Sequence, residues 1–344
     1  MSTPRQVHGE FLHDEQSFRR TIPYPLVATN IPGAYASPAW ADDFDPNTAS
    51  PADFVKNGLL IHRPTQSDDP VLVKAWDRAF SRKWRAEDRI IPQLEPQPGK
   101  VHILRKPPRV NTNGNNPFWS GGVMVGQKWS GVLGFWHVPT VSAAPEPQGT
   151  KTPGWDSSSW LGIDGYPGYS SDVLQAGVQQ YVSPSGSPSY VAWYEWYTPG
   201  DTSPSYVNQV NITNVGIKPG DYVYCGVAYV GSTAGYFIFK NERTGKHFSM
   251  TLAPPKGATF AGNTIEWIME DPNGGEPDAA LAKFTQVEFE LAVGCKPGAT
   301  NLGELLADTT NPSNGFTVNI ETSSDVPLTK TTLGNYTVKI DFIG

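Results

Sequence analysis

From Phe118 to the C-terminus, short runs of Val, Ile, Tyr, Phe and Trp alternate with clusters of Gly, Pro, Asn and Ser. Runs of that length and patterning predict strands, and their regular spacing predicts an all-β sandwich or barrel. Strands are expected at 119–126, 129–137, 157–163, 171–182, 188–197, 207–213, 221–230, 234–240, 245–252, 263–270, 283–290, 315–321 and 334–342. No repeat period is evident, which argues against a propeller or solenoid.

Residues 1–115 follow a different pattern and are read as an N-terminal extension to a β domain at 116–344. The extension is mostly irregular, Pro/Ala/Asp-rich over 21–55, with one amphipathic helix. Asp69 can cap that helix and Pro70 fits its first position, while Leu72, Val73, Trp76, Ala79, Phe80 and Trp84 recur at helical spacing. Lys74, Arg78, Arg82 and Arg85 fall on the opposite face. The passage Ile103–Arg109 is basic, and its prolines keep it extended.

Composition agrees with the β reading. Among 344 residues there are 34 Gly and 32 Pro, with 12% aromatic and only 17% charged, which suits a turn-rich protein. Charge divides unevenly: 15 Lys+Arg against 13 Asp+Glu before residue 116 gives +2, leaving −9 of the total −7 for the remainder. An acidic β domain argues against nucleic-acid binding. No 18-residue apolar run exists for a membrane span, and Met1–Gln16 lack the apolar stretch of a signal peptide. Cys225 and Cys295 are too few for a disulfide framework, and are either one pair or two buried thiols. Asn211-Ile212-Thr213 and Asn335-Tyr336-Thr337 match the glycosylation sequon.

Common catalytic motifs are missing: no H-E-x-x-H, no G-x-S-x-G, no phosphate or dinucleotide loop. His137 and His247 are the only histidines of the β domain, too few for a His-based zinc site, and read as surface or capping residues or a lone base. Three strands place polar groups among aromatics. In Glu266-Trp267-Ile268-Met269-Glu270-Asp271, strand alternation puts Glu266, Ile268 and Glu270 on one face. Such a pair is either a solvated face or a tuned acid/base, one carboxyl kept protonated by its neighbour or by desolvation. Gln175 shares a face with Val173 and Gly177, where Gly leaves room for a ligand backbone and the amide could donate to an oxyanion. Trp193, Glu195 and Tyr197 share a face suited to an extended substrate, or to a core edge.

Four ordered motifs carry a resemblance. Trp160-Leu161-Gly162-Ile163-Asp164-Gly165, Leu174-Gln175-Ala176-Gly177, Ala192-Trp193-Tyr194-Glu195-Trp196-Tyr197 and Glu266–Asp271 resemble those of the glutamic peptidases, or eqolisins, of the scytalidoglutamic type. The similarity starts at Trp119-Ser120-Gly121-Gly122 and fades after Phe289. It implies an antiparallel sandwich of two large sheets and an acid-active, pepstatin-insensitive endopeptidase acting on polypeptides. Gln175 and Glu270 match the catalytic positions; Trp119, Trp160, Asp164, Trp193, Glu195, Tyr197 and Glu266 would line or support the cleft. No metal, cofactor or covalent intermediate is implied. A monomer, secreted and not membrane-bound, is expected. Phe118 stands where relatives have a small residue or Asn, and the cysteines that close their loops are absent.

The resemblance also implies a basic pro-segment, a role residues 1–115 fit by charge. On this reading the 70–85 helix and the Arg105–Arg109 segment rest on the acidic domain at neutral pH, block the cleft, and are released in acid. Two rival functions are a β-sandwich glycoside hydrolase using Glu266 or Glu195 with Glu270, which gives Gln175 no role, and a non-catalytic carbohydrate- or protein-binding module.

Overall fold

The computed structural model describes residues 18–344 apart from 21, 23, 42, 61–62, 66–69, 81–83, 100–114, 146–153, 201–207, 273–278, 297–314 and 323. Two nine-stranded sheets pack face to face. The front sheet runs Gly315–Val318, Trp119–Met124, Ile265–Glu270, Gly154–Ile163, Val173–Val182, Pro188–Tyr197, Val210–Ile212, Leu94–Pro96, with Ala279–Leu281 pairing parallel to Gly154–Ile163. The back sheet runs Val27–Ala28, Ala34–Ala36, His247–Leu252, Ala234–Asn241, Tyr222–Val230, Gly131–His137, Val287–Cys295, Thr337–Phe342, Thr329–Gly334.

Alternation decides what lies between them. Ile265, Trp267 and Met269 point inward with Leu161, Ile163, Leu174, Ala176, Tyr194 and Trp196, and meet Val132, Trp136, Val223, Cys225, Phe237 and Phe239 of the back sheet. The indole of Trp267 donates to the carbonyl of Leu133 at 3.0 Å, tying the two sheets beneath the Glu266–Glu270 strand. Glu266, Ile268 and Glu270 therefore take the outer face of the front sheet, as the parity of the sequence requires.

Each expected strand has a counterpart. The region expected as one strand at 283–290 divides into Lys283–Phe284 and Val287–Cys295, and the last strand is one arm of a hairpin turning at Asn335 and Tyr336, where Tyr336 takes a φ of 60°. The cysteines form no disulfide; Cys225 is buried and Cys295 half-buried.

Two short stretches of the extension serve as edge strands: 27–36 borders the back sheet and Leu94–Pro96 the front. The expected helix is present at Pro70–Phe80; its candidate cap Asp69 lies outside the described residues, Trp84 lies beyond its end, and Val73 is only half-buried. A second helix, Pro51–Lys56, was not expected. Ser50 and Asp53 close it with a reciprocal capping box, but six residues are too few to show apolar periodicity.

The placement of the Pro70–Phe80 helix corrects the blocking role expected of it. Val71, Leu72, Ala75, Trp76, Ala79 and Phe80 pack with Trp40, Phe44 and Phe54 onto Leu133, Phe135, Tyr224, Tyr236, Ile238 and Val293, the outer face of the back sheet. It thus lies on the side of the sandwich opposite Glu270, held by apolar contact, while Arg78 meets Glu290 only at a half-exposed 3.7 Å pair. Arg82 and the Arg105–Arg109 segment lie outside the described residues.

Candidate active site

Strand register brings the polar residues of four sequence motifs together. One row across the front sheet reads Val123, Glu266, Gly162, Gln175, Glu195; the next reads Gly121, Ile268, Trp160, Gly177, Trp193; the third reads Trp119, Glu270, Ser158, Gln179, Val191. Glu270 and Gln175 thus lie on one face of strands that flank the Trp160 strand on either side.

Hydrogen bonds fix each group. Trp160 Nε1 donates to Glu270 Oε2 at 2.7 Å, and Gln175 Nε2 donates to Glu195 Oε2 at 2.7 Å. Trp193 Nε1 donates to Ser158 Oγ at 2.9 Å, and Ser158 Oγ to the carbonyl of Val178. Trp119 meets Trp160 edge-to-face at 4.8 Å. Gln175 and Glu195 are 0% exposed and Glu270 1%, so the solvated-face alternative is excluded.

The carboxyls divide by environment. Burial, then the neighbouring Asp164 carboxylate, push Glu266 well above the ordinary glutamate range. Thr264 opposes that shift without making a hydrogen bond of good geometry, and neither Glu266 oxygen meets a donor. Burial is thus the main cause that keeps Glu266 protonated, with Asp164 second. Asp164 itself is raised by burial, against donors from Tyr229 Oη and the backbone of Gly262 and Asn263. At a φ of 68° it ends its strand and clasps the 262–264 loop, so it supports the site from behind.

Tyr197, half-buried, completes the Trp193, Glu195, Tyr197 face. Gly177 does not make room for a ligand: a Cβ there would stand 2.3 Å from the Ser159 carbonyl oxygen and 2.5 Å from Trp160 Cβ, so it admits the neighbouring strand. His137 and His247 both lie on the back sheet, away from Glu270. His137 is exposed at 3.2 Å from the Gly220 carbonyl, and His247 is buried between Trp40 and Trp84 on the back sheet, not at the surface. Among the described residues no group of three or more His, Cys, Asp or Glu could hold a metal.

Sequence reasoning passed over Ser158 and Gln179, the two residues that follow Glu270 in its row. Ser157-Ser158-Ser159 looks featureless until pairing shows that only Ser158 shares the face of Glu270.

The peptidase A4 family model matches residues 117–342, a span that holds every residue of this face named above. The chain belongs to the peptidase A4 family. As a member it is a glutamic-type peptidase, a hydrolase of peptide bonds. Aspergillopepsin-2 of Aspergillus niger is 27% identical over 237 residues, covering 65% of this chain and 77% of that protein. Scytalidopepsin B of Scytalidium lignicola is 27% identical over 153 residues, 44% of this chain and 51% of that one. The crystal structure of scytalido-glutamic peptidase with a transition state analog inhibitor shares the fold, with a TM-score of 0.51 at 20% identity over 66% of this chain and 98% of that one. The A4 match begins at residue 117, so the strands and helices contributed by residues 27–96 lie outside it.

Proposed function

We propose that this A4 peptidase is an acid-active endopeptidase whose catalytic pair is Glu270 and Gln175. The observation that carries this reading is their arrangement: a buried carboxylate held by an indole N–H, on the same face as an amide held by a second carboxylate. Glu270 takes a proton from water as its oxygen attacks the scissile carbonyl, then returns that proton to the leaving amine. The side chain of Gln175, whose amide nitrogen carries two hydrogens, donates to the tetrahedral oxyanion. Loss of such a donor lowers turnover ~10²–10³-fold.

Glu266, kept protonated, adds no second negative charge beside the oxyanion. Trp119, Trp160 and Trp193 form the floor on which the pair is set, and Tyr197 the side open to substrate. Polypeptides are the substrates. Because Gln175 and Glu270 are buried, turnover requires the site to open. A secreted, monomeric enzyme, with residues 1–115 as a pro-segment, is part of this reading.

Hydrolysis of an unstructured protein at pH 3–7, comparing wild type with Glu270→Gln and Gln175→Ala in the presence of pepstatin and EDTA, tests it. Acid cleavage that resists both inhibitors and is lost in both variants is expected. Undiminished cleavage by Gln175→Ala would overturn the assignment and return attention to carboxylate pairs alone.

A further inference from the structure

On the outer face of the back sheet, beneath the extension, buried polar atoms of three residues stand together without partners. Arg89 joins the sheet at the start of the His247 strand, where the backbone N–H of Ile90 donates to the His247 carbonyl at 3.0 Å. Both terminal nitrogens of its guanidinium are buried and meet no acceptor, and the same holds for Trp40 Nε1. The guanidinium carbon stands 5.7 Å from the centre of the Trp40 ring, and that ring stands 4.9 Å from the fully buried ring of His247. Nδ1 of His247 lies 3.0 Å from the Gly245 carbonyl, which can only accept, so the ring proton sits on Nδ1. Its Nε2 therefore keeps a bare lone pair, and it too has no partner.

The charge of this cluster is uncompensated. Burial lowers the Arg89 pKa to about 10, opposed only by Tyr236 and Tyr24, with no carboxylate acting on it. Lys240, the other cation near His247, is already paired with Glu242 at 2.6 Å. A buried guanidinium forfeits its hydration and recovers it only through an anion that fills its hydrogen bonds. Cationic and neutral N–H donors beside a bare lone pair are complementary to an oxyanion that keeps a hydroxyl. Singly charged phosphate offers both, with oxygens for Arg89 and Trp40 and a hydroxyl for His247. A way in is present. Trp40 and Trp84, which both touch His247, also wall a cavity of about 310 Å³ together with Phe44 and the exposed Arg85 and Glu87.

We propose that Arg89, Trp40 and His247 form a binding site for a phosphate group at the junction of the extension and the β domain. Arg89 and Trp40 belong to the extension and His247 to the domain, so a bound phosphate fastens one to the other.

Calorimetric titration at pH 6 of inorganic phosphate, and separately of phenyl phosphate, into the full chain tests it, using wild type, Arg89→Met and Trp40→Phe in a buffer free of oxyanions. Wild type is expected to show one saturable site and a melting temperature that climbs with phosphate concentration. Arg89→Met should weaken binding at least ~10-fold and abolish that climb. Without phosphate it should melt no lower than wild type, because an apolar side chain replaces an unpaired charge. Trp40→Phe, which keeps a ring and loses the N–H, should weaken binding by a smaller factor. Tighter binding of phenyl phosphate would assign the site to an organic phosphate reaching into the cavity, and equal or weaker binding to the free anion. No saturable binding by wild type, or binding by Arg89→Met as tight as wild type, would overturn the site and leave water to serve these groups.

Discussion

Trp160 and Glu270 stand one row apart on adjacent strands, and the indole N–H of the first meets a carboxylate oxygen of the second at 2.7 Å. Replacing Trp160 with Phe keeps an aromatic ring against Trp119 but leaves Glu270 without that donor. A hydrogen bond to a charged group contributes about 1.5–3 kcal/mol, so kcat should fall roughly 10- to 100-fold. Steady-state kinetics on a quenched peptide, with the melting temperature recorded alongside, checks this; unchanged kcat would remove the indole from the mechanism.

Gly162 sits between Glu266 and Gln175 in their row. A Cβ there would lie 3.1 Å from Gln175 Cβ, 3.0 Å from Trp160 Cζ3 and 3.4 Å from Glu266 Oε1. Gly162→Ala should displace the amide by a few tenths of an ångström and lower kcat about tenfold or more, with a stability loss of about 1–3 kcal/mol. Denaturant unfolding and kinetics on one preparation separate the two effects.

Glu266 makes stability fall as pH rises. Below the ordinary glutamate value of 4.5 the folded and unfolded chains are both protonated there. Above it the unfolded chain ionises while the folded chain keeps its proton, so stability drops until the folded group ionises too. Glu266→Gln should flatten that limb: melting temperatures measured from pH 4 to 8 should converge with wild type at the acid end and exceed it at the neutral end.

His247 works in the opposite sense. Burial holds its pKa at about 4, helped by nearby Arg89 and Lys240, while the Gly245 carbonyl lies within hydrogen-bond reach of Nδ1. As pH falls from 6.5 toward 4 the unfolded chain takes up the proton first, and up to about 3 kcal/mol of stability is lost. In His247→Phe the acid limb should be shallower over that window. Hydrogen exchange at the Pro70–Phe80 helix, on the same back face, would report whether the loss is local.

The alternation of apolar residues made the two sheets legible, and parity alone placed Glu266 and Glu270 together because a strand has only two faces. The short edge strands Val27–Ala28, Ala34–Ala36 and Leu94–Pro96 escaped because two or three residues carry no pattern; a neighbouring edge, not propensity, makes them strands. His247 was misjudged for a related reason. Its parity shows that it points outward, but only the packing of Trp40 and Trp84 shows that outward is not solvent. The hydrogen bond from Gln179 to Asp156 was equally hidden, since it depends on register between strands, and register is absent from either strand read alone.

The contribution of residues 27–96 to both sheet borders and to the aromatic layer over the back sheet bears on what chain cleavage would produce. A single cut between Lys100 and Gly114 would sever one covalent link yet leave strands, helices and hydrogen bonds on both sides in place. The product would be a nicked heterodimer made from one gene, migrating as two bands under denaturing conditions and one particle under native ones. Stripping away its smaller piece would bare two sheet margins that invite pairing with other molecules.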